Sequence, residues 1–281
     1  MSKLAGKVVT VTGAKGFIGQ RLVERLKKMG FKVKTINSLE NINLPKNSMI
    51  VFHLAAVTNP KADPYELNKV NYFGTKNLLK KVLRDCPDAV FIFPSTFGVY
   101  RTPNEDEVIK ENYPKNPTND YGKSKLKAED MVQKFSDQFN LKVRILRLSN
   151  VYGPNSSSVI TRWLKAIKNN EQITLTGDSN QSRDFIYIDD VVKALILSAT
   201  QKLEQKSIVL NICTGEDISL KQLLDFMLKI AKVRIKILNE RGNLSNVGFF
   251  KGDFSLAYKL LKWTPKVTLK KGLKLTWESI N

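Results

Sequence analysis

The chain has 281 residues, a formal net charge of +20 and one histidine, a composition that excludes a His-rich metal centre and a two-histidine mechanism. Cys86 and Cys213 lie too far apart for metal-ligand spacing and read as small buried residues of a reducing cytosol. The length allows one large domain or two unequal lobes.

In chain order, the apolar run Lys7-Val8-Val9-Thr10-Val11 predicts a first strand. The turn Thr12-Gly13-Ala14-Lys15-Gly16-Phe17-Ile18-Gly19 follows it and opens a helix that ends near Gly30. Strand, glycine turn and amphipathic helix make a dinucleotide-binding βα unit. Gly13, Gly16 and Gly19 permit a tight turn and close approach to a pyrophosphate, which the helix N-terminus, with Phe17 and Ile18, stabilises through its N–H groups. Strands are then predicted at 32–37 and 49–54, a helix at 64–84, a strand at 89–94, a helix at 119–140 and a strand at 142–148. Such alternation predicts a doubly wound parallel α/β sheet, with a dinucleotide-binding domain over 1–150. Past Asn150 turn-rich stretches at 152–158 and 177–183 interrupt the pattern. Elements at 184–188, 189–200, 208–213 and 219–231 follow. The region 151–281 is therefore expected to be mainly a smaller substrate-binding lobe, with part of 184–213 returning to the sheet.

In doubly wound folds ligands lie beyond the carboxyl ends of the strands. After the third strand comes His53-Leu54-Ala55-Ala56, whose small residues leave room for a cofactor. The fourth strand leads into Pro94-Ser95-Thr96-Phe97-Gly98-Val99-Tyr100, and the 119–140 helix opens with Tyr121-Gly122-Lys123-Ser124-Lys125. Tyr and Lys four apart share one helix face, and a nearby ammonium favours the phenolate of a group whose ordinary pKa is ~10. Such a pair handles a proton near neutral pH. His53 reads as a packed residue at a strand end.

These motifs, taken with Asn71-Tyr72-Phe73-Gly74-Thr75, the stretch 147–154, the stretch 183–190 and Trp263-Thr264-Pro265, resemble the extended short-chain dehydrogenase/reductase family, in particular its NAD-dependent nucleotide-sugar epimerases, dehydratases and reductases. The resemblance spans nearly the whole chain and implies a Rossmann-type fold with NAD as cofactor. It implies that Tyr121 is the acid/base, that Lys125 holds the nicotinamide ribose and lowers the Tyr121 pKa, and that Thr96 bonds the reacting oxygen. Leu54, Ala55 and Ala56 would line the cofactor. Asn150 would contact the substrate phosphate and Arg183 the diphosphate, through its planar fork of donors, with Arg241 as a second phosphate ligand. A homodimer is implied, in which the helices at 64–84 and 119–140 meet those of a second copy. Leu78, Leu79, Val82, Met131 and Phe135 are apolar beyond what one sheet face requires.

The chain also departs from the family pattern. The residue closing the second strand, acidic in NAD-specific members, is Asn37, so NADP stays open. The link from there to Met49 is short, and a strand that relatives carry is missing. Phe97-Gly98 replace the acidic pair that follows the catalytic Thr in sugar 4,6-dehydratases, which argues against dehydration. The first reading is a nucleotide-sugar 4-epimerase with tightly bound NAD, acting on a nucleotide-diphosphate sugar. The second is an NAD(P)H-dependent 4-ketoreductase of deoxy-sugar synthesis. A third, a non-catalytic NAD- or RNA-binding relative, rests on the positive charge. It is opposed by the retained Thr96, Tyr121 and Lys125, and the spread of lysines along the whole length reads as solvated helix faces. The opening segment carries no hydrophobic signal and no run approaches ~18 apolar residues, so a cytoplasmic protein without a membrane partner is expected.

Overall fold

The computed structural model describes residues 5–176, 181–240 and 248–280. In chain order the elements are β1 (Val8–Thr12), α1 (Phe17–Lys28), β2 (Lys32–Ile36), β3 (Ser48–His53), α2 (Pro64–Leu67), a π-helical segment (Asn68–Gly74), α3 (Thr75–Asp85), β4 (Val90–Thr96) and β5 (Val108–Ile109). Then come α4 (Asp120–Phe139), β6 (Val143–Leu148), β7 (Asn150–Tyr152), α5 (Val159–Lys168), β8 (Ile173–Thr176), β9 (Ser182–Arg183), β10 (Phe185–Tyr187), α6 (Ile188–Thr200) and β11 (Ser207–Ile212). The chain continues with β12 (Ile218–Ser219), α7 (Leu220–Ala231), β13 (Ile237–Glu240), β14 (Lys251–Gly252), α8 (Ser255–Leu261) and α9 (Leu269–Ile280). They form two compact units. The first comprises residues 1–101, 114–148 and 192–210; the second comprises 102–113, 149–191 and 211–281.

The first unit is built on a six-stranded sheet in the order β11-β6-β4-β3-β1-β2, parallel across β2, β1, β3, β4 and β6. The chain winds outward from β1 in both directions, so the order reverses between β1 and β3. That reversal sets Thr12 beside His53 in register and opens a crevice at the strand ends. The strands alternate little: β6 is buried at every position, as a sheet covered on both faces requires. On one face α3 and α4 bury Leu78, Leu79, Val82, Ala128, Met131 and Val132 against Val51, Phe91, Phe93, Val143 and Ile145. Each such side chain stabilises the fold by roughly 1.5–3 kcal/mol. α1 lies against β1 and β2 and buries Leu22 and Leu26.

Two expectations change, and the expected lack of a strand after β2 holds. The helix anticipated over 64–84 is interrupted: α2 runs four residues, then the backbone widens into the π-helical segment before α3. There Asn71 turns inward, and a Cβ on Gly74 would come within 2.7 Å of Leu39. No strand fills the link between β2 and β3. Instead Ile42 and Leu44 enter the core, with Leu39 packed against it, and β2 is left as an edge with Lys32 and Lys34 exposed. Charged lysines on an edge discourage pairing with another chain. The apolar surplus proposed for a dimer is not surplus. Leu78, Leu79 and Val82 are fully buried in the chain's own core and Met131 is 7% exposed.

The second unit consists of two-stranded pairs, β10 with β7, β12 with β9, β13 with β8 and β14 with β5, and the mutually packed helices α5, α7 and α9. Trp263 is fully buried, and its indole N–H donates to the Asp190 carbonyl at 3.0 Å. The Asp190 carboxylate accepts the Lys266 and Val267 N–H groups, each at 2.9 Å. The 183–190 and 263–265 motifs therefore meet as one anchor. The sequence reading gave no place to α5, whose start is marked by Ser158 accepting from the Thr161 N–H at 3.3 Å.

Candidate active site

The glycine turn is fixed by close contacts. Gly13 has φ +65° and a Cβ there would sit 2.6 Å from the Ala55 nitrogen, while a Cβ on Gly19 would strike the Gly13 carbonyl oxygen. Gly16 caps α1 with no side chain, and a Cβ there would meet only the Gly13 oxygen at 3.2 Å. The first-turn N–H groups of Phe17, Ile18 and Gly19 thus face a cradle with no acidic residue in it, which suits a pyrophosphate. The opposite wall is Leu54, Ala55 and Ala56, part-buried and small. The Ala55 N–H donates to the Thr12 hydroxyl at 3.1 Å, tying the wall to the end of β1. Asn37 is exposed just past β2.

Behind that wall runs a buried polar chain. The Thr75 hydroxyl donates to the Asn71 carbonyl at 2.6 Å, so its oxygen must accept from His53 Nε2, 2.8 Å away. His53 Nδ1 then accepts from the Thr12 hydroxyl at 2.8 Å. Burial, then the Lys125 charge, holds the imidazole down at about 3. His53 is neutral and structural, as its place at a strand end suggested. The Asn71 side chain bonds Val57 through both main-chain groups, at 2.8 and 2.9 Å, and donates to Ser124 Oγ at 2.9 Å. Ser124 in turn donates to the Tyr121 carbonyl at 2.8 Å. Asn71 and Thr75 were quoted only as part of a motif; their roles come from this chain of bonds.

Thr96 ends β4, and its hydroxyl accepts from the Gly98 N–H at 3.1 Å. Asn119 caps α4 by accepting from the Gly122 N–H at 2.8 Å. A Cβ on Gly122 would collide with the Gly98 carbonyl oxygen, so strand end and helix start touch backbone to backbone. The Thr96 hydroxyl is thereby brought up to the Tyr121 side chain, where it favours the phenolate. One turn on, Lys125 is 4% exposed, its ammonium 3.9 Å above the Phe93 ring.

The charges here correct one expectation. Burial pushes the Tyr121 phenol up to about 12, against the lowering effect of the Thr96 hydrogen bond, instead of Lys125 bringing it down. Burial also brings Lys125 down to about 7, with Glu129 opposing. Lys125 is buried and Tyr121 partly so, and each is driven towards its neutral form.

Asn150 and Arg183 belong to the second unit, on either side of Asp184. Asn150 donates to the Asp184 carbonyl through its main-chain N–H at 2.9 Å and its side chain at 3.2 Å. The Asp184 carboxylate accepts from Ser149 Oγ and from the Thr214 and Gly215 N–H groups, and burial raises it to about 6. Among the described residues the Arg183 guanidinium bonds uncharged oxygens, the Ser182 and Gly248 carbonyls at 2.7 and 2.8 Å and Gln181 Oε1 at 3.0 Å, and lies over the Phe250 ring. No carboxylate among the described residues pairs with it. Arg241 lies outside the described residues.

A doubly wound sheet with a glycine turn at its switch point and a Thr–Tyr–Lys set beside it defines a dinucleotide-dependent enzyme class. The NAD dependent epimerase/dehydratase family matches residues 9–213, and the chain belongs to that family. Among solved structures it is similar to MoeE5 in complex with UDP-glucose and NAD, with TM-score 0.90 and 29% identity, covering 98% of each chain. It is also similar to the UDP-glucose 4-epimerase of Thermotoga maritima with UDP-glucose, with TM-score 0.88 and 28% identity over 97% of this chain and 98% of that one. Human dTDP-D-glucose 4,6-dehydratase is 32% identical over 244 residues, which are 82% of this chain and 67% of that protein. No helix among the described residues is long and apolar enough to cross a membrane.

The buried lysine makes stability depend on pH. Its folded pKa of about 7 lies below the ordinary 10.5, so between these values the unfolded chain holds a proton that the folded chain lacks. The burial cost is absent above the upper value, grows as pH falls and is complete below the lower one. Lys125→Met should therefore stabilise the fold by on the order of a few kcal/mol at pH 6 and by clearly less at pH 9. Urea unfolding at the two pH values reads this; an equal gain at both would show that Lys125 is not desolvated.

Proposed function

We propose that this chain is a nucleotide-sugar 4-epimerase working with bound NAD. The observation that carries the reading is the backbone contact of Gly98 with Gly122, which sets the Thr96 strand end against the Tyr121 helix start, with the buried Lys125 ammonium one turn on. The first-turn N–H groups after Gly13 and Gly16 and the Leu54–Ala56 wall fit the dinucleotide, with Asn37 towards its ribose and Tyr121 and Lys125 towards the nicotinamide ribose. When bound, NAD supplies hydride exchange at the sugar C4. Tyr121 takes the proton of the C4 hydroxyl and later returns it, Thr96 holds the reacting oxygen, and Lys125 offsets the charge that develops on it. Arg183 pairs its fork with the substrate diphosphate and Asn150 contacts the phosphate. The first unit serves the cofactor and the second the substrate.

Phe97 and Gly98 support epimerisation over dehydration. Phe97 is buried with its ring edge-on to Tyr100, and Gly98 lies against Gly122, so neither position offers an acid or base. A second reading, a 4-ketoreductase that exchanges its cofactor, is favoured by the exposed Asn37 and the strandless link after it. Cofactor retention separates the two. The epimerase purifies with NAD and interconverts UDP-sugars without added cofactor, whereas the reductase oxidises added NADPH.

We also infer a homodimer, now on different residues. Tyr65 and Phe73 on the α2–π stretch and Phe139 at the end of α4 are 75%, 54% and 54% exposed. A monomer mass by light scattering at micromolar concentration would overturn it.

Tyr121→Phe removes one hydroxyl from a ring that still packs. It should keep the fold and NAD binding and lose turnover of the accepted UDP-sugar by roughly 10²–10⁴-fold. A wild-type rate in this variant would refute the assignment. Arg183→Ala should raise KM strongly and change kcat less, because a charge-assisted fork is lost from binding. An unchanged KM in the folded variant places Arg183 outside the site.

A further inference from the structure

Glu129 stands one helical turn beyond Lys125 on α4, and the four-residue spacing puts both on one face. It is 2% exposed. A carboxylate buried that deeply is costly unless it is paired. Arg147 of β6, 3% exposed, closes around it. Its Nε donates to Oε1 at 3.1 Å and to Oε2 at 3.2 Å, and Nη2 donates to Oε1 as well. Tyr100 fixes the guanidinium from the other side, accepting from Nη1 at 2.9 Å with its ring centre 4.8 Å from Cζ. Held on both oxygens, Glu129 acts on Lys125 through its field.

We infer that Glu129, clamped by Arg147, is a positioning residue whose buried charge keeps the Lys125 ammonium charged beside Tyr121. The inference rests on the reading of Tyr121 and Lys125 as the proton-handling pair. The groups that bear on Lys125 are few. β3 contributes His53, which is neutral above about 3. The lysine's own helix contributes Tyr121 and Glu129, β4 offers the uncharged Phe93 ring, and Arg147 of β6 and Tyr100 after β4 bear on Glu129. Glu129 is the anion of this set. Without its charge, the burial that drives Lys125 towards its neutral form goes unopposed among the described residues, and Arg147 keeps a buried charge with no carboxylate. The neighbouring alternative is a strut that merely binds α4 to β6. A strut predicts no change in the titration of Lys125 in any variant that folds.

The test is a titration of Lys125 itself, followed by the carbon-13 resonance of its Cε in lysine-labelled protein and assigned by its loss in Lys125→Met. In the wild type the resonance should titrate near about 7. Glu129→Gln, which keeps shape and hydrogen-bonding capacity, should move that titration down by roughly 1–3 pH units. The high-pH limb of kcat should follow it downwards, with KM for the UDP-sugar unchanged. Arg147→Met leaves the carboxylate unneutralised and should move the titration up, a reversal that a strut does not produce. Should Arg147→Met fail to fold, the double variant Glu129→Gln, Arg147→Met, which buries no unpaired charge, takes its place. It should fall between wild type and Glu129→Gln. An unchanged Lys125 titration in the folded variants overturns the inference. If Lys125 moves as expected while the wild type turns over no nucleotide sugar, the positioning role stands and the epimerase reading falls.

Discussion

The Asn71 side chain is the joint on which the first unit's proposed site depends. One amide holds the main chain of Val57, behind the proposed cofactor wall, and through Ser124 the first turn of α4, where Tyr121 sits. Both of its N–H donors and one oxygen lone pair are used within the protein, so moving either partner leaves a buried polar group unpaired at a cost of about 1–3 kcal/mol. The π-helical segment follows from this. An extra residue in the helical ring changes which side chains face inward, and Asn71 is the residue so presented. Thr75 and His53 carry the same chain of bonds on to Thr12 and the glycine turn, so one network ties both ends of the crevice together.

Burial around this network bears on its titratable groups. His53 near 3, Lys125 near 7 and Tyr121 near 12 have all moved towards the neutral form. A charge introduced there is weakly screened and correspondingly strong in its effect. The protein accepts the cost of a desolvated lysine at a position where the proposed proton chemistry needs one, a common way for activity to trade against stability.

The parts of the fold legible in the sequence were those with period and punctuation. The β1–α1 unit, the strands around Phe52, Phe91 and Ile145, and the long α4 helix all carry continuous apolar runs or a capping residue. The Thr96, Tyr121 and Lys125 positions were legible because strand end and helix start are marked by chemistry as well as spacing. What escaped depended on three-dimensional neighbours. The π-helical segment is written as an ordinary helix, and only the packing of Gly74 on Leu39 and the inward turn of Asn71 reveal it. Leu78, Leu79 and Val82 looked surplus because the link carrying Ile42 and Leu44 into the same core was read as a missing strand. The sign of the Tyr121 shift was missed because spacing shows a neighbouring cation but not the loss of solvent around both groups. Glu129 had a visible signal, a carboxylate four residues after Lys125, but its meaning needed Arg147 of a distant strand.

The two units are threaded: the chain passes from one to the other after residues 101, 113, 148, 191 and 210. The edge strand β11 and much of α6 therefore reach the first unit only after most of its other elements have been made and a long stretch of the second has intervened. On the ribosome, the nucleotide-binding sheet has to wait with the buried side of β6 uncovered until about three quarters of the chain has emerged. Such late, distant closures slow folding and lengthen the time an apolar strand stays open to wrong partners. The dense positive charge of the nascent chain, repelling other copies of itself, is then a safeguard during synthesis as well as a property of the finished surface.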